Sequence, residues 1–387
     1  MEKDNHKTKK IKEIMEKHDI DVIISRYTEN VLYFTNVWPI TGWGISVVYR
    51  DSKEPVLFLP VSEMDYANHA IISDVRAFSD TSLMTVAGLL EGLDIKKMKV
   101  GLELSKEGLA ASHLSYEVAF PNQPTFNMIR ETLDDCTIVD ATGVIDKMRA
   151  CKTDFELKQL KLVNELNYFG LEAAAELLHE EGVTEMEVAT ECEKKIMDRI
   201  KDYPDINFIR ALAFVMAGEN GIKGDRPFNI SSAYKCKKGE YVMLELNTQV
   251  NGYWSDLTRT WVCGRKPTEE QLSQAEAVNG GIEAAMSVMK PGGSWRDAYE
   301  KSREYIVKKG YGKYHSPFLG HGIGVKLHES VPMIHGSTDP SLLFEKGHYL
   351  SVEPGLYYEK VGALRYERNV AVGEKGCEAF DEFPCTL

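Results

Sequence analysis

The stretch from Glu240 to Trp261 constrains the fold of this chain most, because it reads as two strands joined by a tight turn. Apolar and polar residues alternate over Val242–Leu246 and again over Tyr253–Trp261, and Asn251-Gly252 stands between the two runs. Alternation at a period of two around an Asn-Gly pair predicts a β-hairpin with a two-residue turn.

Two carboxylates lie on the predicted hairpin, one on each strand. Glu245 and Asp256 are eleven residues apart, and a hairpin can bring such a pair to one point. Two carboxylates that face one point in a sheet are costly unless a cation or a proton lies between them. The hairpin therefore predicts a cation site.

Composition limits the class of protein. With 387 residues, 43% of them hydrophobic, the chain is long enough for two domains and a large core. A net charge of −13 argues against a nucleic-acid partner. Seven cysteines without a CxxC spacing indicate free thiols in a reducing compartment. The N-terminus is charged, and no apolar run approaches the ~18 residues of a membrane span, so we expect a cytoplasmic protein without a membrane partner.

Element patterns divide the chain at about residue 150. Residues 1–150 alternate predicted strands and helices, which indicates a smaller α/β domain with a mixed sheet. Residues 151–387 begin with a long amphipathic helix from Phe155 to about Leu178, for which Thr153 or Asp154 is the predicted cap. Helices and strands follow, so the fold class predicted for the whole chain is α+β.

Four further stretches carry candidate metal-ligating or catalytic residues. They are Gly320–Glu329 (GHGIGVKLHE), Ser351–Tyr357 (SVEPGLY), Ala363–Val372 (ALRYERNVAV) and Asp225–Asn229 (DRPFN). With the hairpin, they supply a candidate set of four carboxylates and one imidazole: Glu245, Asp256, His321, Glu353 and Glu367. Oxygen-rich sets with one nitrogen suit Mn²⁺, Fe²⁺, Co²⁺ or Zn²⁺. One or two such ions can lower the pKa of water and polarise an amide carbonyl, which is the chemistry of C–N bond hydrolysis.

The order of these motifs resembles one superfamily. GYWSDLTRT, GHGIG with a second histidine, VEPGLY and RYERNVAV together look like the pita-bread metallohydrolases, which include aminopeptidase P, prolidase, methionine aminopeptidase and creatinase. The resemblance spans about residues 150–387, and the preceding α/β segment resembles the N-terminal domain of the creatinase, prolidase and aminopeptidase P branch. It implies a C-terminal pita-bread catalytic domain, a smaller creatinase-type N-terminal domain and a homodimer.

The resemblance also implies residue roles. Asp256, His321, Glu353 and Glu367 match metal ligands, and Glu353 also matches the general base. His328 matches a histidine that hydrogen-bonds substrate or the tetrahedral intermediate. Arg365 matches an arginine that pairs with the last ligand or with a substrate carboxylate. Trp38 is a further candidate, because in this branch the N-terminal domain of a partner can lean over the active site, where its indole would form an aromatic wall; the alternative for Trp38 is ordinary packing.

Two positions depart from the family pattern. Glu245 stands where the peptidases carry the first aspartate ligand, and it is followed by Leu246-Asn247 instead of an aromatic or aliphatic residue and glycine. Its extra methylene displaces the carboxylate by ~1.5 Å, which leaves a site with one metal open. Phe228 falls where the peptidases place a substrate-contacting histidine, and no histidine occurs from 180 to 314.

Two enzymatic functions follow, with a third class behind them. The first is a metal-dependent peptidase of the aminopeptidase P or prolidase type that cleaves an Xaa-Pro bond in a small peptide. The second is a non-peptidase enzyme on the same fold, resembling creatinase, ectoine hydrolase or a dimethylsulfoniopropionate lyase, that acts on a small zwitterionic metabolite. The departures at Glu245 and Phe228 favour the second. A catalytically inactive binding protein is the third.

Overall fold

The computed structural model describes residues 4–51, 54–80, 82–105, 123–222, 230–358 and 361–387. The chain divides into two compact units, Met1–Arg149 and Ala150–Leu387, each with helices and strands. All seven cysteines are free thiols. Among the described helices, none combines the length and the apolar character needed to cross a membrane.

The first unit is built on one mixed sheet. Its elements are α1 (Asn5–Lys17), β1 (Val22–Ser25), α2 (Thr28–Thr35), β2 (Ile45–Tyr49), β3 (Val56–Pro60), a 3₁₀ helix (Val61–His69), β4 (Asp74–Phe78), α3 (Leu83–Glu91), β5 (Lys99–Leu102), α4 (Gln123–Thr132), β6 (Thr137–Asp140) and α5 (Thr142–Ala150). The described strands lie in the order β4-β3-β2-β1-β5-β6. β1 is antiparallel to β2 and parallel to β5, which gives the mixed sheet that alternating strands and helices predict.

The second unit has more elements. They are α6 (Asp154–Leu177), α7 (Glu185–Met197), β7 (Ile209–Ala217), β8 (Tyr241–Val250), β9 (Tyr253–Val262), α8 (Glu269–Met286), α9 (Trp295–Lys308), β10 (Phe318–Gly322), β11 (Glu329–His335), β12 (Tyr349–Val352), β13 (Gly355–Tyr358), β14 (Gly362–Arg365), β15 (Arg368–Val372) and β16 (Cys377–Ala379), with 3₁₀ turns at Asp198–Asp202, Gly218–Gly221 and Gly312–Tyr314.

Local sequence signals start the helices of this unit. Thr153 caps α6 and Thr184 caps α7, and each hydroxyl accepts a hydrogen bond from the backbone N–H three residues later. The carboxylate of a glutamate at that third position accepts a hydrogen bond from the backbone N–H of the cap, so both helices begin with a complete capping box. Of the two caps considered for α6, Thr153 is therefore the correct one.

The predicted hairpin is present as β8 and β9. Asn251 has a φ of 51° and Gly252 a φ of 90°, the left-handed backbone of a two-residue turn that joins twisted strands. β7 pairs with the other edge of β8, giving a described three-stranded sheet in the order β7-β8-β9. Every residue of β8 is buried. One face of the sheet packs on α6 and α7 through residues such as Leu244 and Leu246, and the opposite face carries Glu245, Asn247 and Asp256.

A second sheet and a short hairpin complete this unit. The described strands of the second sheet lie in the order β11-β10-β12-β15-β16, and α8 and α9 share a hydrophobic core with it. β13 and β14 form a separate antiparallel pair. The backbone N–H of Glu367, between β14 and β15, donates to the carbonyl of Thr258 on β9 at 3.1 Å. This contact joins the segment after the hairpin β13–β14 to β9, the edge strand of the three-stranded sheet.

Candidate metal centre

The register of the hairpin puts its two carboxylates on one face. Asp256 lies directly opposite Asn247, and Glu245 lies directly opposite Thr258. Residues opposite one another in antiparallel strands share a face, as do residues two apart along a strand. Glu245 and Asp256 are therefore diagonal neighbours on the face that does not contact α6 and α7.

Ligand-type residues from three other places form, with Asp256, a cluster centred on His321. His321 is on β10, Glu353 follows β12 directly and Glu367 lies between β14 and β15. His321 Nε2 is 3.4 Å from Asp256 Oδ2 and 3.6 Å from Glu353 Oε1. One ligand atom from each of His321, Glu353 and Glu367 lies within 4.8 Å of the others. Ligand atoms about 2.1 Å from one ion are roughly 3 to 3.5 Å apart, so the distances of His321 Nε2 from Asp256 and Glu353 suit a shared cation.

Neighbouring groups orient His321 and Glu353. His321 Nδ1 is 2.9 Å from the carbonyl oxygen of Gly322, so Nδ1 carries the proton and Nε2 presents its lone pair to the site. The hydroxyl of Ser351 donates to Glu353 Oε1 at 3.0 Å and accepts from the backbone N–H of His321 at 3.1 Å. Ser351 therefore couples the positions of two ligand candidates.

Asp256 and Glu367 are held in the same way, each by one carboxylate oxygen. Asn247 Nδ2 donates to Asp256 Oδ1 at 2.7 Å, and Thr258 Oγ1 donates to Glu367 Oε2 at 2.7 Å. Glu367 Oε1 is buried and accepts no hydrogen bond from any residue that the structure describes. A buried carboxylate oxygen without a donor is costly, and a divalent cation would satisfy it. The donor set and this orphaned oxygen both fit a metal ion.

The electrostatics of the cluster indicate the same requirement. Burial raises the pKa of Asp256 to about 6, and burial with the charge of Asp256 raises the pKa of Glu367 to about 8. Burial and the charges of Glu367 and Asp256 raise the pKa of Glu353 well above its usual range. Burial lowers the pKa of His321, which keeps its imidazole neutral. Three carboxyl groups that cannot all ionise by themselves need a cation to become ligands together.

Glu245 has a different partner. The guanidinium of Arg365, the last residue of β14, forms an ion pair with the Glu245 carboxylate, and both side chains are buried. Arg365 Nη1 also lies 3.7 Å from Glu353 Oε2, and its Nε donates to Thr258 Oγ1 at 2.9 Å. Among the described residues, Glu245 is outside both groups whose ligand atoms lie within reach of one ion. Its role as a ligand stays a prediction.

The remaining sequence candidates occupy different places. His328 is exposed, and its ring stacks on that of His321 with centroids 4.1 Å apart. A ligand atom of His328 also lies within 4.8 Å of those of Asp256 and His321, so His328 is a fifth group near the site. Trp38 belongs to the first unit, where it is half-buried between α2 and β2. Phe228 lies outside the described residues. The substrate contacts expected of Trp38 and Phe228 stay predictions.

Sequence reasoning missed the residues that orient the ligand candidates. Ser351 precedes Glu353 by two residues and Thr258 follows Asp256 by two, which places Thr258 on the same strand face as its ligand candidate. From the sequence, Asn247 is only a departure from the family pattern. Each of Ser351, Thr258 and Asn247 lies two residues from a ligand candidate along the chain. Polar side chains at that spacing from a candidate are therefore the signal that would have identified them.

Comparison with known proteins agrees with this geometry. Residues 158–374, more than half of the chain, match the family described as metallopeptidase family M24, and residues 7–151 match the creatinase/prolidase N-terminal domain. The chain is 27% identical over 375 residues to an Xaa-Pro dipeptidase of Pyrococcus horikoshii, covering 96% of this chain and 95% of the relative. It is 28% identical over 371 residues to an Xaa-Pro dipeptidase of Pyrococcus furiosus, covering 95% of each.

A solved structure extends the similarity to three dimensions. The prolidase of Pyrococcus horikoshii OT3 superposes with a TM-score of 0.78 at 25% identity, covering 99% of this chain and 100% of that one. The predicted pita-bread fold with a creatinase-type N-terminal domain is confirmed. The chain belongs to metallopeptidase family M24 and is a metallohydrolase.

Proposed function

We propose that this protein is a dipeptidase that hydrolyses the bond between a first residue and a following proline. The observation that carries the proposal is the buried cluster of Asp256, His321, Glu353 and Glu367, in which each carboxylate has an oxygen within 4.8 Å of a ring nitrogen of His321. Full-length relatives named Xaa-Pro dipeptidase support the choice of substrate class.

A divalent ion bound by Asp256, His321, Glu353 and Glu367 would lower the pKa of water and polarise the scissile carbonyl. Glu353 would act as the general base, because its Oε1 lies 3.6 Å from His321 Nε2 at the centre of the cluster, where it could accept a proton from the attacking water and pass that proton to the leaving amine. His328, exposed beside His321, donates a hydrogen bond to the carbonyl oxygen as negative charge develops on it.

An apolar wall beside the carboxylates suits a hydrophobic substrate group. Phe214 on β7 lies opposite Glu245, and it clusters with Met216, Met243 and Ala363. Tyr357 packs against the same cluster. Burial, together with the charges of Glu353 and Glu367, raises the pKa of its phenol, so the wall adjoins the metal centre. A proline ring or an apolar side chain of a dipeptide would be desolvated there.

The finer features of this function belong to the proposal as well. We expect Mn²⁺, Zn²⁺, Co²⁺ or Fe²⁺ as the metal, a cytoplasmic location and a homodimer. Trp38 of a neighbouring subunit and Phe228 are expected to contact substrate, and Arg365 is expected near the substrate carboxylate, although its guanidinium already pairs with Glu245.

A matched panel of peptides tests the proposal. Protein loaded with Mn²⁺ or Co²⁺ should hydrolyse Xaa-Pro dipeptides faster than Xaa-Ala dipeptides and faster than longer Xaa-Pro peptides. The E353Q variant, which keeps the shape of the side chain but loses the base, serves as the control and should be inactive. Failure of the metal-loaded protein to cleave any Xaa-Pro dipeptide would overturn the proposal.

A second candidate function rests on the changed hairpin. Glu245 and Asn247 alter the sheet face that bears the site, which is compatible with a substrate other than a peptide. The same assay should therefore include zwitterionic metabolites of the amidine, betaine and cyclic amino-acid classes. Turnover of one of these, together with no dipeptide cleavage, would favour the non-peptidase function.

A further inference from the structure

We infer that this chain binds a single divalent ion, and that Glu245 serves as the partner of Arg365 and not as a metal ligand. The ion would take Asp256 Oδ2, His321 Nε2, Glu353 and Glu367 as its protein ligands. The inference rests on the metal site of the proposed function and narrows it, because the donor set could in principle hold one ion or two.

The first argument is the engagement of Glu245. Its carboxylate is ion-paired with the Arg365 guanidinium, and both side chains are at least nine-tenths buried. Separating a buried ion pair costs free energy, because it leaves two desolvated charges without partners. Glu245 would have to break this pair before it could bind a cation.

Arg365 cannot easily turn away to release Glu245. Its Nε donates to Thr258 Oγ1 at 2.9 Å. Its backbone N–H donates to Thr260 Oγ1 at 3.1 Å, and the same hydroxyl donates to the Arg365 carbonyl at 2.9 Å. The arginine is therefore fixed to β9 by both its backbone and its side chain, with its guanidinium directed at Glu245.

The second argument is the position of Asn247. A carboxylate that bridges two ions must offer both of its oxygens. Asn247 Nδ2 donates to Asp256 Oδ1 at 2.7 Å, which places a hydrogen-bond donor where a second ion would have to approach. Oδ2, the other oxygen, is the one that faces His321 Nε2 at 3.4 Å. Asp256 is thus arranged to ligate one ion with one oxygen.

Metal content and spectroscopy of the intact protein test the inference. After loading with Mn²⁺ and removal of the free ion, elemental analysis should find one Mn²⁺ per chain. The electron paramagnetic resonance spectrum should show the hyperfine pattern of an isolated ion. Two ions per chain with an exchange-coupled spectrum would overturn the inference, as would a protein that retains no Mn²⁺.

Variants of the hairpin test whether Glu245 and Asn247 limit the site to one ion. E245Q should still bind one Mn²⁺ per chain, whereas E367Q, the matched control at a true ligand, should lose at least tenfold in Mn²⁺ affinity. The double variant E245D/N247G shortens the paired carboxylate and removes the donor on Asp256, and it should bind two ions. Loss of the ion from folded E245Q, or a double variant that folds and still binds one, would overturn the roles given to Glu245 and Asn247. N247G alone provides a second test if the double variant does not fold.

These results are separable from those for the proposed function. An enzyme that cleaves Xaa-Pro dipeptides and holds two ions overturns this inference and leaves the function intact. A protein that holds one ion and cleaves no dipeptide does the reverse.

Discussion

Replacing Arg259 by methionine should destabilise the second unit by about 4 kcal/mol, because a buried charge pair loses one member. Arg259 is fully buried on β9, on the face opposite the metal centre. Its Nη2 lies 2.5 Å from Asp381 Oδ2, and the Asp381 side chain is only 1% exposed. Arg259 also donates to the carbonyl oxygens of Thr258, Glu367, Phe383 and Pro384.

The magnitude follows from what the substitution leaves behind. Breaking a buried ion pair from one side costs about 3 to 5 kcal/mol, and each hydrogen bond to a charged group contributes roughly 1.5 to 3 kcal/mol without simple additivity. Arg368 Nη1 and the backbone N–H of Asn369 still donate to Asp381, at 3.1 and 3.0 Å, which keeps the loss near the middle of that range. Methionine preserves most of the buried volume, so a cavity adds little.

Urea unfolding of the metal-free protein, followed by circular dichroism, measures this change in the free energy of unfolding. The exposed pair of Lys346 and Glu374, 3.0 Å apart, provides the control, since K346M should cost less than about 1 kcal/mol. R259M combined with D381L should be more stable than the sum of the single changes by about 1 kcal/mol or more. A loss below about 1 kcal/mol in R259M would refute the reasoning from burial.

Three further outcomes are expected. A Mn²⁺ concentration about 100-fold above Kd should stabilise the wild-type protein by about 2.7 kcal/mol, whereas E367Q should gain little stability. Thermal unfolding of each protein with Mn²⁺ and with chelator measures this stabilisation. An equal stabilisation of both proteins would contradict the role of Glu367. H328Q should lower kcat about 10²- to 10³-fold in steady-state assays, while the metal content of the purified variant stays unchanged. Loss of metal from the purified variant would instead identify His328 as a ligand. Burial lowers the pKa of His315 to about 4, so the histidine is protonated more readily in the unfolded chain and stability is lost as pH falls from 6.5 towards 4. H315Q should weaken the dependence of the unfolding free energy on pH over that range. An unchanged dependence on pH would show that His315 is not its source.

The sequence by itself determined the local structure around the site. An Asn-Gly pair between alternating runs predicts the turn, and the left-handed backbone at Asn251 and Gly252 confirms it, because few residues adopt that conformation so readily. The threonines that cap α6 and α7 act on backbone groups only three residues away. The order of the motifs also sufficed to predict the family, which the comparisons confirm.

Only the tertiary structure decided which face of β8 is the polar one and what each carboxylate meets there. Alternation predicts two faces but cannot say that both are buried, one against helices and one around a cluster of ligand candidates. Glu245 and Arg365 are 120 residues apart, and their pairing depends on how β14 crosses the three-stranded sheet. Local periodicity carries no information on such long-range contacts, so the partner of Glu245, and with it the expected number of metal ions, follows from the fold.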